Sequence, residues 1–204
     1  MNNTIKFFAV IAVLFLAGCA SKIAPPAQYD FGSLPAVATT TKTLPAISLA
    51  DVNSPAWLDN TMMMYRLTYA NDLQPRPYAT TRWTMPPAQL FSQRLKSRIG
   101  QAGGAVVALS DGALNMPLLR IDLDDFSQNF DSTSHSVAQV ALRASLFNGR
   151  NLVAQKTFSR QEPSSTPDAE GGARAFAVAN DALITDLINW LATTSIPSTS
   201  SIKK

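Results

Sequence analysis

The only cysteine of the chain, Cys19, follows a short apolar segment and has the clearest chemistry of any side chain. Residues 16–19 read LAGC, which matches the lipobox at which a bacterial lipoprotein is lipidated and cleaved. Residues 7–16 are all apolar. They are too few to cross a bilayer, which takes about 20 residues in a helix. The sequence therefore predicts a removable signal, cleavage between Gly18 and Cys19, and lipid on the Cys19 thiol.

A lipidated cysteine would place the protein on a membrane surface. One acyl chain binds a membrane only marginally, whereas two or more anchor it firmly. Ala20 follows the cysteine, where Asp would retain a lipoprotein in the inner membrane. We therefore expect an outer-membrane anchor with the domain on the periplasmic face. No second cysteine is present to form a disulfide, so packing alone must hold the domain.

His135 is the sole histidine and lies close to Asp131, Ser132 and Ser134. The residue types of a Ser/His/Asp triad are therefore all present here. Triads are assembled from distant segments, however, so we predict an exposed loop histidine. One histidine and one lipidated cysteine also exclude a His-based metal cluster. The sequence predicts no catalytic residue, no metal and no cofactor.

The densest acidic group comprises Asp122, Asp124, Asp125 and Asp131. Paired carboxylates can hydrolyse glycosides or bind calcium. The segment lacks the spaced ligands and the glycine of an EF-hand, and alternation places Asp122 and Asp124 on an exposed face. We interpret the group as solvated charge on an edge strand.

Methionines 62–64 are candidates for an adaptable apolar contact surface, although methionine also fills gaps in cores. Met63 shares a strand face with Tyr65 and is assigned to the core. Met62 and Met64 point the other way and remain candidates for contact with a partner or a lipid.

Three tryptophans could anchor a core or an interface. We assign Trp83 and Trp190 to the core. Trp57 lies in a loop beside prolines and is expected to be exposed, so it joins the candidate contacts.

Charge and composition exclude one class of partner. The chain has 204 residues and a formal charge of +3, and removal of the signal with its one lysine leaves +2. Nucleic-acid binding needs clustered basic residues, so no nucleic-acid partner is expected. A hydrophobic fraction of 46% is enough for one core.

Periodicity predicts an α+β domain, with a mostly antiparallel sheet and two helices packed on one face. The aromatic island at 29–32 is expected to dock as a short strand, and Asn148-Gly149 to form a hairpin turn. The predicted strands are 44–52, 62–69, 78–83, 106–109, 118–126, 136–147 and 152–160, with a turn at 71–77 and helices at 84–100 and 168–192. The predicted organisation is a signal peptide at 1–18, a lipidated flexible tether at 19–42, a domain at 43–192 and a disordered tail at 193–204.

Several short segments together resemble one known family. They are Tyr29–Gly32, Pro55–Leu58, Tyr65–Tyr69, Tyr78–Trp83, Pro86–Leu90, and Asp168–Gly172 leading to Trp190-Leu191. Their order and spacing look like the ABC-type transport auxiliary lipoproteins, the PqiC-like proteins. The resemblance covers about residues 29–192.

The resemblance implies a non-catalytic accessory of an MCE-type lipid transport system. Its expected partners are an MCE-domain protein, the associated inner-membrane permease and ATPase, the outer membrane, phospholipid and further copies of the chain. The lipoprotein would dock or receive the MCE conduit. Two alternatives stay open: a lipoprotein for lipopolysaccharide assembly, β-barrel assembly or cell-wall synthesis, and a cell-wall enzyme.

Overall fold

The computed structural model describes residues 24–35, 44–112 and 116–197. Within them the chain forms eight strands and two helices. The strands are β1 (Ala27–Tyr29), β2 (Ile47–Leu49), β3 (Met62–Leu67), β4 (Asn71–Trp83), β5 (Val106–Ala108), β6 (Leu118–Phe130), β7 (Ser136–Asn148) and β8 (Asn151–Pro163); the helices are α1 (Pro87–Gln101) and α2 (Ala169–Thr193). The predicted signal peptide, Cys19 and residues 198–204 lie outside the described residues.

All eight strands belong to one open sheet. The long ladders are antiparallel: β6 pairs with β7, β7 with β8, and β3 with β4. Shorter parallel pairings add β1 to β4, β2 to β5, and both β2 and β3 to the same side of β6. The predicted α+β class with a mostly antiparallel sheet is confirmed.

Strands β6, β7 and β8 form a long antiparallel ribbon, and in β6 and β7 apolar residues alternate with polar ones. Leu119, Ile121 and Leu123 of β6 are fully buried. A register shift between Leu123 and Asp125 changes the phase, so Phe126 becomes the next buried apolar residue. The predicted hairpin between β7 and β8 is confirmed, with Gly149 at a φ of 59° in its turn.

The two helices pack together over the buried face of the sheet. Helix α2 lies against β7 and β8 and contacts α1. Pro87 begins α1, where a missing N–H costs nothing, and Asp168 caps α2 by accepting a hydrogen bond from the Gly171 N–H at 2.7 Å. No helix in the described ranges is long and apolar enough to cross a membrane.

Two predictions about strands are wrong. Residues 71–77, expected to be a turn, are the first half of β4; the turn is at 68–70 instead. Strand β6, expected at a sheet edge, has neighbours on both sides. Both errors have one cause: sequence patterns report side-chain periodicity, whereas strand neighbours and bulges depend on distant segments.

Candidate functional site

The segment closest in sequence to the predicted lipid anchor is built into the domain. Strand β1 pairs in parallel with β4, and Ala27 lies opposite Thr81. The Thr84 N–H donates to the Tyr29 carbonyl oxygen at 2.9 Å. The aromatic island docks on the domain as expected, although the strand is displaced to Ala27–Tyr29 and includes only Tyr29 of the island; part of the predicted tether is therefore a strand.

A tight turn at residues 30–32 follows β1. The Gly32 N–H donates to Asp30 Oδ1 at 2.7 Å, and Gly32 has a φ of 63°, which favours glycine. Arg94 Nη1 of α1 donates to the Gly32 carbonyl oxygen at 3.1 Å. A guanidinium of one helix therefore holds this turn against the domain.

Arg94 is itself oriented by α2. Its Nε and Nη2 donate to the two carboxylate oxygens of Asp181 at 2.8 and 2.7 Å. The Arg94 side chain is 6% exposed and that of Asp181 is 18% exposed. This bidentate, largely desolvated pair joins α1, α2 and the turn after β1; we call these three residues, Gly32, Arg94 and Asp181, the anchor clamp.

Phe31 inserts into the core beneath the anchor clamp. Its ring lies 6.0 Å from Trp83 and 6.1 Å from Phe126, measured between centroids. Phe126 stacks on Phe176 of α2 at 4.2 Å. The aromatic residue of the island therefore connects the incoming segment to the sheet and to α2.

A second buried polar cluster surrounds Gln128 of β6. Its Nε2 donates to Ser136 Oγ at 2.9 Å and to the Asp168 carbonyl oxygen at 3.1 Å, while the Tyr78 hydroxyl donates to its Oε1 at 3.0 Å. Burial, with a smaller contribution from Tyr65, raises the pKa of Tyr78 above its usual value. The Tyr78 hydroxyl thus stays protonated and acts as a structural donor.

The glycines of the segment at 168–172 permit close approach beside Gln128. A Cβ on Gly171 would overlap the Thr166 carbonyl oxygen, and one on Gly172 would overlap Gln128 Oε1. The backbone N–H of Gly171 and the Thr166 hydroxyl both donate to Asp168, which lowers the pKa of this carboxyl. The segment at 168–172, one of those that carry the resemblance to the family, therefore has a structural role.

The predicted contact residues lie in different environments. Met62 is exposed, at 36%, and Asn60 Oδ1 accepts from its N–H at 2.8 Å. Trp57, which was expected to be exposed, is half-buried against the core, with the Arg66 guanidinium 5.2 Å from its ring centroid. Met64 is only 6% exposed, so its assignment to the exposed face is wrong: Met63 beside it is also fully buried, so both faces of β3 are covered at this point.

The remaining sequence assignments have clear outcomes. Trp83 is in the core as predicted, whereas Trp190 is half-buried against Phe158, with ring centroids 5.8 Å apart. His135 is 52% exposed and pairs with Asp131 at 2.7 Å, which confirms an exposed loop histidine.

The acidic side chains of β6 have separate hydrogen-bond partners. Asp122 accepts from Asn53 Nδ2 at 3.1 Å and from Arg143 at 3.3 Å. Burial raises the pKa of Asp125, although the Ser127 hydroxyl donates to it at 2.8 Å. Among the described residues, no three His, Cys, Asp or Glu side chains converge on a possible metal position.

Sequence reasoning missed the apolar side chains exposed at the tip of the β3–β4 hairpin; this tip, residues 68–75, comprises the turn at 68–70 and the start of β4, and we call it the hairpin turn. Tyr69 is 48% exposed and Leu73 is 85% exposed. The pairing of β3 with β4 has register shifts, so β4 contains a bulge near its start. Two hydrogen bonds fix this bulge: the Leu73 N–H donates to Asn71 Oδ1 at 3.0 Å, and Arg66 donates to the Asp72 carbonyl oxygen at 3.0 Å. The only sequence signal was an isolated leucine in a polar, proline-containing stretch.

The α+β fold of this chain, an open sheet covered by two helices, is also found in solved structures. Protein XCC0632 from Xanthomonas campestris, of family DUF330, is 20% identical with a TM-score of 0.72 over 82% of this chain and 95% of that chain. A second crystal structure, of an uncharacterized protein, is 13% identical with a TM-score of 0.62 over 82% of this chain and 99% of that one. At these identities the likeness concerns the fold alone.

The family model for the ABC-type transport auxiliary lipoprotein component matches residues 29–187. The chain therefore belongs to this family, and its resemblance in sequence is confirmed. Comparison with curated proteins gives no match.

Proposed function

We propose that this protein is a non-catalytic auxiliary lipoprotein of an MCE-type lipid transport system, anchored in the outer membrane with its domain in the periplasm. The observation that carries the proposal is the family match, which runs through nearly the whole domain from Tyr29 to Leu187. The lipobox at residues 16–19 supplies the anchor, and Ala20 favours the outer membrane.

The anchor clamp supports a role in positioning. A long, freely moving linker would let the domain drift far from its membrane. Here only seven residues, 20–26, lie between Cys19 and Ala27. Such a short linker keeps the domain beside the bilayer, where it can receive the end of a conduit that crosses the periplasm.

The charged and polar side chains support a non-catalytic assignment. The buried ones serve packing: Arg94 pairs with Asp181, and Gln128 joins β6 to the start of α2. The exposed His135 has one carboxylate partner four residues earlier, and no serine donates to its ring in the described residues. This arrangement holds an imidazole on a loop and lacks the nucleophile–base contact of a triad.

We place the partner contact on the exposed part of β3 and the preceding loop. Met62 offers a soft apolar side chain, and the half-buried Trp57 lies with the Arg66 guanidinium over its ring. Several copies arranged around one conduit would strengthen individually weak contacts through multivalency.

Photo-crosslinking in native envelopes tests this proposal. A photo-reactive amino acid at position 62 should form adducts with an MCE-domain protein or with phospholipid. The matched control is position 178 on α2, where Val178 is 52% exposed on another surface. Adducts from position 62 only to a β-barrel assembly protein or a cell-wall synthase would move the protein to the assembly class.

A further inference from the structure

We propose that the turn of the β3–β4 hairpin is a membrane-contact element that inserts Leu73 and Tyr69 into the lipid surface carrying the anchor. The inference rests on the lipid anchor at Cys19 proposed above. It concerns a different surface from the contact proposed at Met62.

Strand direction places the entering chain on the same side as this hairpin turn. Because β1 is parallel to β4, the start of β1 and the start of β4 point to the same end of the sheet. Strand β4 starts at Asn71, directly after the turn at 68–70. Residues 24–26, which lead into β1, therefore approach it from the end where Tyr69 and Leu73 are exposed.

The length of the segment between Cys19 and Ala27 limits the distance between the domain and the membrane. Ala27 lies opposite Thr81, next to Arg82, which pairs with Met62. From Met62 to Leu67, the last residue before the turn, β3 advances about 17 Å. The eight-residue separation of Cys19 from Ala27 spans at most about 26–29 Å. At full extension the acylated thiol reaches only about 10 Å past the hairpin turn.

The chemistry of the turn suits a bilayer interface. Residues 68–75 contain one charged side chain, Asp72, and both Leu73 and Tyr69 are exposed. Leucine is apolar throughout, and tyrosine joins an apolar ring to a hydroxyl that stays hydrated, which favours the headgroup region. The bonded bulge at Asn71 holds Leu73 outward without help from the core.

The opposite end of the domain provides a matched control. Leu152 is 53% exposed and is the second residue of β8, beside the β7–β8 turn. Strand β6 runs from Phe130, paired with Leu67, to Leu118 at the other end, a distance of about 40 Å. When the hairpin turn touches the membrane, Leu152 is therefore well away from lipid.

Depth-dependent quenching on the full mature lipoprotein tests the proposal. Leu73→Cys and Leu152→Cys are each labelled with a polarity-sensitive fluorophore and reconstituted into vesicles of phosphatidylethanolamine and phosphatidylglycerol, with or without spin-labelled lipid. The thioether at Cys19 leaves one reactive thiol in each variant. We expect quenching of the Leu73 label to exceed that of the Leu152 label by about two-fold or more, with a blue-shifted emission. A label at Tyr69→Cys should behave as at Leu73.

Equal quenching at both ends, or stronger quenching at Leu152, would overturn the proposal. So would a blue shift at Leu73 that occurs without vesicles, because it would indicate contact with another protein copy. Failure of the anchor itself is distinguished separately: the unsubstituted lipoprotein would then take up the fluorophore on Cys19, as mass spectrometry of the labelled chain would show.

Discussion

The anchor clamp and the hairpin turn lie toward opposite ends of β4, and their side chains have opposite environments. Arg94 is buried, and its guanidinium donates to Asp181 and to the Gly32 carbonyl oxygen. Leu73 is 85% exposed and its side chain has no role in the core. The comparison separates residues that hold the anchored segment to the domain from residues that are available to a surface outside it.

The largest expected effect is at the anchor clamp. Arg94→Met leaves Asp181 largely buried, with Arg98 at 3.8 Å as its remaining cation. We expect the free energy of unfolding to fall by about 3 kcal/mol, the low end for breaking a buried ion pair. Urea denaturation of the mature domain measures this change.

The matched control for Arg94→Met is Arg174→Met, which removes an exposed pair with Glu170 on α2. That change should cost about 0–1 kcal/mol. Hydrogen exchange of residues 30–35 should accelerate in Arg94→Met alone. Equal stabilities of the two variants would show that the buried pair does not hold the turn.

A smaller loss is expected at the start of α2. Gly171→Ala places a methyl group against the Thr166 backbone, which cannot move independently of the Asp168 cap. We expect a cost of about 1–3 kcal/mol, as for overpacking elsewhere.

Gly100→Ala is the control for Gly171→Ala, because its Cβ would meet no heavy atom within 4 Å in the last part of α1. We expect Gly100→Ala to stabilise the helix by about 0.5–1 kcal/mol. Thermal melts of both variants check the opposite signs. A neutral Gly171→Ala would contradict the close approach.

The cap of α2 should make stability depend on pH. Asp168→Ala removes the acceptor for the Gly171 N–H and should cost about 1 kcal/mol at neutral pH. The folded-state pKa of Asp168 is lowered, chiefly by this backbone hydrogen bond. Its ionised form therefore stabilises the fold above its unfolded pKa of about 3.9, and this contribution is lost as pH falls through the folded-state value.

Urea titrations at several pH values check this prediction. The difference in free energy between the parent protein and Asp168→Ala should shrink at acid pH. Asp168→Asn, which keeps a neutral acceptor, should lose less stability than Asp168→Ala at neutral pH. A constant difference across the acid range would contradict the titration of Asp168 as its source.

The smallest effect on stability is expected at the hairpin turn. Leu73→Asn should change the free energy of unfolding by less than about 0.5 kcal/mol, because the side chain is already in water. The same variant should abolish the lipid contact proposed above. A loss of more than about 1 kcal/mol of unfolding free energy in a urea titration would mean that Leu73 contributes to packing. The difference between the hairpin turn and the anchor clamp would then be smaller than the structure indicates.

Much of the local structure follows directly from the order of residues. Apolar spacing and Asp168 predicted α2, and Asn148-Gly149 predicted the β7–β8 hairpin. The candidate contacts were predicted less well. Met62 is exposed as expected, but Met64 is buried like Met63 beside it, because other parts of the domain cover both faces of β3 there and periodicity does not report such cover.

The sequence alone determined the features that depend on near neighbours in the chain: the lipobox pattern at 16–19, the helix cap at Asp168, the β7–β8 turn and the alternation of β6. Only the tertiary structure decided which distant groups meet. Arg94 and Asp181 are 87 residues apart, and nothing local to either predicts their pairing. The exposure of Leu73 was likewise decided by the register of β4 against β3, because a side chain is buried only when other elements cover it.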